Sequence, residues 1–391
     1  MRIINTYLLK SIDTNDYAEF TRIMNSKIST ILDSSVIRKR SMAYYVAHRT
    51  RGRIPALDIS YLALESDPVL LEYVKGHMPK VHIIKTNYSS GGTSHKVLLS
   101  KDEKYAYLAD GEHCFKIIDI ENFEDASEVT NFTFSDNECE LHDISAAAKG
   151  SHLYLSDLKN GFTILDMDLP SSPLQQGEYT RLSAISSLAS EDDSTSFIIR
   201  ERKGLSILDI SSKEDFKILA QYNRGLEIKH LALDNNRSRL YLAHSRGLSI
   251  LDISTIGNPR EVSTFSLQKG ANHVILSPDK KTAYVASGED GVAVLDVSGD
   301  QNATLVSTCL TPRYAHQLSL SKDGKKLYVS ALEDGVYYID TQDQKDLRHI
   351  STYKLDKEEA SAFSSTLSPS EKTLYIAFGK AGIAKIDIQD Q

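Results

Sequence analysis

The sequence predicts an all-β protein, an eight-bladed β-propeller of four-stranded antiparallel blades, and three observations predict it. First, the pattern Gly-x-x-Ile/Val-Leu-Asp-Ile/Val recurs about every 43 to 47 residues, with near-identical copies ending at Asp209, Asp252 and Asp296. Looser copies end at Asp58, Asp119, Asp166, Asp340 and Asp387, which makes eight. Second, each copy divides into four short runs of β-branched and aromatic residues separated by turn residues. Third, the last copy lacks a fourth run, and the start of the chain carries one that matches the others.

The copy ending at Asp340 shows the four pieces in order. His316-Gln-Leu-Ser-Leu-Ser321 alternates as a first strand, Lys322-Asp-Gly-Lys reads as a hairpin turn, and Lys326-Leu-Tyr-Val-Ser330 is the second strand. The loop Leu332-Glu-Asp-Gly335 feeds the third strand, Val336-Tyr-Tyr-Ile-Asp340, and Arg348-His-Ile-Ser-Thr-Tyr-Lys-Leu355 is the fourth. Arg2-Ile-Ile-Asn-Thr-Tyr-Leu-Leu resembles that fourth strand, so residues 1–10 are expected to complete the last blade, close the ring and remove a free sheet edge. A seven-bladed ring, with the first copy reduced to an appendage, is the alternative.

The third-strand run, here Ile207-Leu-Asp209-Ile and Val294-Leu-Asp296-Val, resembles the LVIVD-repeat family of bacterial and archaeal β-propellers over nearly the whole chain. That resemblance implies the fold and does not imply a function. Two copies depart from the pattern: Cys114 stands where the glycine is usual, and Thr341 follows Asp340 where Ile or Val is usual. The chain has no Trp, which sets it apart from propellers built on Trp-Asp dipeptides or tryptophan-ended aspartate boxes.

Length and composition suit one propeller domain over residues 1–391, because each blade packs only on its neighbours and the ring escapes the size limit of a single core. Two stretches break the rhythm and read as insertions. Residues 11–40 carry an Asp cap followed by Tyr17, Phe20, Ile23 and Met24 at helical spacing, and residues 76–94 lengthen the interval between Asp58 and Asp119 to 61. The net charge of −8 argues against a general nucleic-acid binder. No apolar run has the length of a membrane span, and no secretion signal is visible at Met1. Three cysteines do not describe a disulfide framework, so a cytoplasmic location is expected, with secretion as the alternative.

The repeated aspartates would lie far apart around a ring and cannot act together as a catalytic pair. Each is expected to accept a backbone N–H of the following turn, and the glycine before it to supply a positive φ. The loops between second and third strands, with the connections between blades, should share one face. There His95, His142, His230, His273 and His316 should lie near the channel mouth, in two registers: His95, His142 and His316 in one, His230 and His273 in the next. His113, Cys114, Cys139 and His142 could together hold zinc, Cys114 and Cys139 could instead form a disulfide, or the side chains could be unlinked. Charge on this face should separate by sign. Arg49, Arg51, Arg53, Lys159, Arg200, Arg202, Lys203 and Arg246 make a basic arc, and Glu289, Asp290, Glu333 and Asp334 an acidic sector.

No nucleophile elbow, phosphate-cradling glycine loop, zinc-protease helix or dinucleotide fingerprint is present. The sequence therefore favours a non-catalytic protein-binding scaffold without a cofactor, presenting its loop face to a protein partner. The alternative is a hydrolase or lyase with a metal or histidine centre at the mouth, built on His95, His142 and His316.

Overall fold

Most blades of this chain grow from the same local chemistry. The first hairpin turns on a serine and an aspartate two residues on: Ser100, Ser277 and Ser321 each donate to Asp102, Asp279 and Asp323 at 2.6 Å. The same hydroxyls accept the backbone N–H that opens the second strand, from Tyr105, Thr282 and Lys326. The third strand ends on the repeated aspartate, whose Oδ1 accepts the N–H two residues later, as in Asp209 to Ser211 at 3.0 Å and Asp296 to Ser298 at 2.8 Å. The glycine before that strand has φ of +79° at Gly204 and +84° at Gly335, and Cys114 adopts φ +62° in the same place. Both structural expectations for these residues are met.

The computed structural model of the chain describes residues 80–391 apart from 87, 135–137, 149–150, 181, 300–301, 310, 312–313, 356–359 and 389–391. Residues 81–391 form one unit. Seven sheets follow one another: blades 1 to 5 and the core of blade 6 have four antiparallel strands each, and blade 7 has three. They span residues 96–132, 141–179, 184–222, 228–266, 273–309, 317–355 and 364–387. The innermost strands touch in cyclic order, blade 7 meeting blade 1. One apolar cluster fills each interface. The closing one packs Val97, Ala106, Leu108 and Ile118 of blade 1 on Tyr375, Ala377 and Ile383 of blade 7. Burial at these interfaces, not any single central core, holds the ring. An aromatic in the second strand faces the centre of the third in most blades, as in Tyr154 opposite Ile164, Phe197 opposite Ile207 and Tyr241 opposite Ile250.

The expected eight blades are therefore corrected to seven, because blade 1 packs directly on blade 7 and leaves no place for another. Thr366 Oγ1 donates to the Val97 carbonyl at 2.6 Å across that seam. The first copy, ending at Asp58, lies outside the described residues, as do residues 1–10 and 11–40. Among the described residues, part of the 76–94 stretch expected as an insertion lies at this seam. Lys80–Ile84 pairs as a fifth strand outside Arg348–Leu355 of blade 6. The chain then crosses to blade 7, where Tyr88 pairs with Ile383. Tyr88 occupies the register that Phe132, Tyr179, Tyr222, Phe265, Cys309 and Tyr353 hold in the other blades. The segment is then locked to blade 1. Ser90 and Ser94 donate to the buried Asp110 Oδ1 at 2.5 and 3.0 Å, Lys116 Nζ lies 3.3 Å from Oδ2, and it also donates to the Ser90 carbonyl.

Candidate functional site

The loop face is assembled as the repeat dictates. Backbone bridges Gly111 to Leu141, Gly288 to Ala315 and Leu332 to Ala362 fasten a second-to-third-strand loop to the start of the next blade. These loops and the blade connections thus share one face. The innermost strands below them supply one polar or aromatic residue per blade in two adjacent registers. His230 pairs with Ala243 and His273 with Ala286, which aligns them with Lys96, Asp143, Ser186 and Gln317. His95 and His316 sit one residue earlier. The two-register expectation is met, and its consequence is two separate groups of rings.

In the upper group His95 stacks on His142 with centroids 4.9 Å apart, and Phe363 of blade 7 makes edge contacts with both His95 and His316. Burial, then the neighbouring His142, pulls the His95 pKa down to about 4. Deeper in the channel His230 and His273 stack at 3.5 Å. His230 Nδ1 donates to the Val274 carbonyl at 3.1 Å, and burial lowers its pKa to about 4. Burial and the adjacent His230 hold His273 well below the usual range, and burial followed by Lys229 lowers His316. Beside them Lys96 Nζ donates to Asp143 Oδ1 at 2.5 Å, and Ser186 Oγ to Asp143 Oδ2 at 2.5 Å. The stacked imidazoles thus lie beside one ion pair, Lys96 with Asp143.

The four expected zinc ligands do not form a set. Cys114 and Cys139 are joined to each other by a disulfide, with Cα atoms 5.5 Å apart. His113 Nδ1 instead lies 3.8 Å from Asp110, and His142 Nε2 lies 3.7 Å from Glu140. Among the described residues no group of three or more His, Cys, Asp or Glu side chains is placed to hold a metal.

A cavity of about 540 Å³ opens on the loop face between blades 2, 3 and 4. Its origin is a backbone irregularity. The first strands of these blades break register between Leu141 and Asp143, Ala184 and Ser186, and Ile228 and His230, whereas the first strands of blades 1, 5, 6 and 7 are regular. A bulge re-aims the extra residue. It sends His142 and Ile185 to the wall, where Arg200 at the end of Thr195–Arg200, the Glu201-Arg202 turn, Leu158 and the connection Gly225 to Ile228 complete it. Sequence reasoning named His142, Arg200 and Arg202 and missed the rest. No residue signature marks them, and only the structure shows that the first strands of blades 2 to 4 run to six or seven residues against four elsewhere.

Around the rim Arg202, Lys203 and Arg246 are exposed on blades 3 and 4, and Glu289 and Glu333 on blades 5 and 6, with Asp290 and Asp334 half-buried. Arg202 Nε lies 3.8 Å from Glu201, Lys159 Nζ lies 3.5 Å from Glu138, and Lys269 pairs with Glu289 at 2.8 Å. Arg49, Arg51 and Arg53 lie outside the described residues. No helix among those residues is long and apolar enough to cross a membrane.

LVIVD repeats match residues 91–135 and 143–181, the first two blades, as the third-strand pattern implied. No curated protein matches the chain significantly. A second family covers residues 196–391, half of the chain, from the second strand of blade 3 to the end. With seven blades in which the repeated aspartate keeps one structural role, this protein is an LVIVD-repeat β-propeller, and it belongs to the family described as Domain of unknown function (DUF5074).

Proposed function

We propose that the chain is a non-catalytic scaffold whose loop face docks a protein partner. The observation that supports this most is the bias of charge on one face: Arg200, Arg202, Lys203 and Arg246 on blades 3 and 4, where Glu201 and Glu227 also lie, against Glu289, Asp290, Glu333 and Asp334 on blades 5 and 6, where Lys269 pairs with Glu289. Opposite-sign sectors orient an incoming partner as well as attract it, because the field has a direction in the plane of the face. The seven interlocked blades keep those loops fixed, so little ordering entropy is lost on docking. A hydrolase centre at the mouth gains no support from imidazoles that stack on each other. The Cys114–Cys139 bond supports an oxidising compartment in preference to the reducing one suggested by cysteine count.

The test is charge reversal. Arg202→Glu, Lys203→Glu and Arg246→Glu together leave the fold intact, since these three side chains are exposed on loops, and slow association with a partner recovered by pull-down roughly 10-fold or more at low salt. The same variant loses most of the salt dependence of the on-rate. An on-rate indifferent to both salt and reversal moves recognition to another surface.

A further inference from the structure

The geometry points to a carboxylate-binding site in the cavity between blades 2, 3 and 4, anchored by Arg200. Arg200 stands apart from the other cations of this face. Arg202 and Lys159 have carboxylates within 4 Å, while Arg200 makes no ion pair among the described residues. Its guanidinium offers five N–H donors. One of them reaches Ser206 Oγ at 3.4 Å, and Nε is buried without an acceptor. The planar fork matches a carboxylate in two parallel hydrogen bonds.

The remaining walls narrow the ligand class. Leu158, Ile185 and Ile228 provide an apolar flank, which suits a methylene stem carrying the carboxylate. Glu201 and Glu227 also line the cavity and would repel a densely charged group such as phosphate. The occupant is therefore a short aliphatic acid: a glutamate side chain of the docked partner, or a free small acid of the same shape. The first source rests on the scaffold reading, and the second does not.

Calorimetric titration of the whole protein with butyrate and, separately, with the blocked peptide acetyl-Gly-Glu-Gly-amide tests the site and separates the sources. At least one of these probes binds with a dissociation constant near or below about 1 mM. Inorganic phosphate binds more weakly. Arg200→Gln weakens the acid about 10-fold or more, as expected for loss of a charge-assisted bidentate contact. Because Arg200→Gln alters a partly buried residue, a second variant avoids the packing. Gly225 has φ +65° and open space around its Cβ position, so Gly225→Asp adds a carboxylate to the wall in a conformation that Asp tolerates. Gly225→Asp weakens the acid and Gly225→Asn does not. Failure of both acids to bind, or equal binding by wild type, Arg200→Gln and Gly225→Asp, overturns the site. Partner docking measured through Lys203 and Arg246 would be untouched by that result, so the two readings fail separately.

Discussion

Replacing Gly382 by alanine strikes the seam that closes the ring. Gly382 has φ +89°, and a Cβ built on it would lie 1.9 Å from the Tyr88 carbonyl oxygen and 2.8 Å from Ser89 Cα. Both neighbours are backbone, so the closing segment must move as a whole. That movement breaks or lengthens the Ile383 N–H to Tyr88 carbonyl bond of 2.9 Å. The left-handed backbone costs an alanine about 1 kcal/mol, and the lost hydrogen bond about another. Loosened packing of Tyr88 against Val97 and Ile383 raises the total to about 3–5 kcal/mol. At about 2–4 °C per kcal/mol for a domain of this size class, the melting midpoint falls by roughly 6–20 °C. Calorimetry or circular dichroism reads it, with two internal controls. Gly225 shares the positive φ but has nothing within 4 Å, so Gly225→Ala isolates the backbone cost of about 1 kcal/mol. Gly299 has neither the φ nor neighbours, so Gly299→Ala is neutral. A Gly382→Ala protein no less stable than Gly225→Ala would refute the assignment of the 88–94 segment to the seam.

Two further outcomes follow from the same structure. Cys139→Ser removes a cross-link between residues 25 apart and destabilises the chain by about 3 kcal/mol on the loop-entropy account, with a matching loss on reduction of the wild type; equal melting of oxidised and reduced protein would count against the bond. His95 and His230 both titrate near 4 in the folded chain against an ordinary 6.5. A lowered histidine pKa means that the unfolded chain takes up protons first, so stability is flat above pH 6.5 and falls as pH drops from 6.5 towards 4. Allowing for their contact with the channel, the two together supply about 2–4 kcal/mol of that loss, His273 and His316 add to it, and His230→Gln flattens the slope in part; a slope unchanged in His230→Gln contradicts the neutral assignment.

Much of the ring was legible because its signals are local. The aspartate that ends the third strand, the glycine before it and the Ser-x-Asp turn each act within a few residues, and periodicity exposes them. The two histidine registers were likewise readable from strand alternation alone. Closure was harder. Arg2 to Leu9 resembles a fourth strand, and Lys85-Thr-Asn-Tyr88 resembles Val129-Thr-Asn-Phe132 just as well, but the second match sat in a stretch that broke the spacing and so read as an insertion. The structure pairs Tyr88 with Ile383, while Arg2 to Leu9 lies outside the described residues. The cavity was the least legible part, since its walls come from three blades and depend on bulges that leave no residue signature. For Cys114 and Cys139 the sequence offered the pair, but not the 5.5 Å between their Cα atoms.

Paired truncations test most directly whether seven blades close through residues 80–94. A chain beginning at Lys80 keeps the fifth strand on blade 6, Tyr88 on blade 7 and the Ser90, Ser94 and Asp110 lock. It should keep the association state of the full chain and unfold cooperatively with the same β-propeller spectrum. A chain beginning at His95 loses all three, leaves blade 7 without an outer partner, and should melt at least 10 °C lower on the order-of-magnitude scale above, or associate through the bared edge. Equal melting of the two truncated chains, or collapse of the one beginning at Lys80, would contradict that closure.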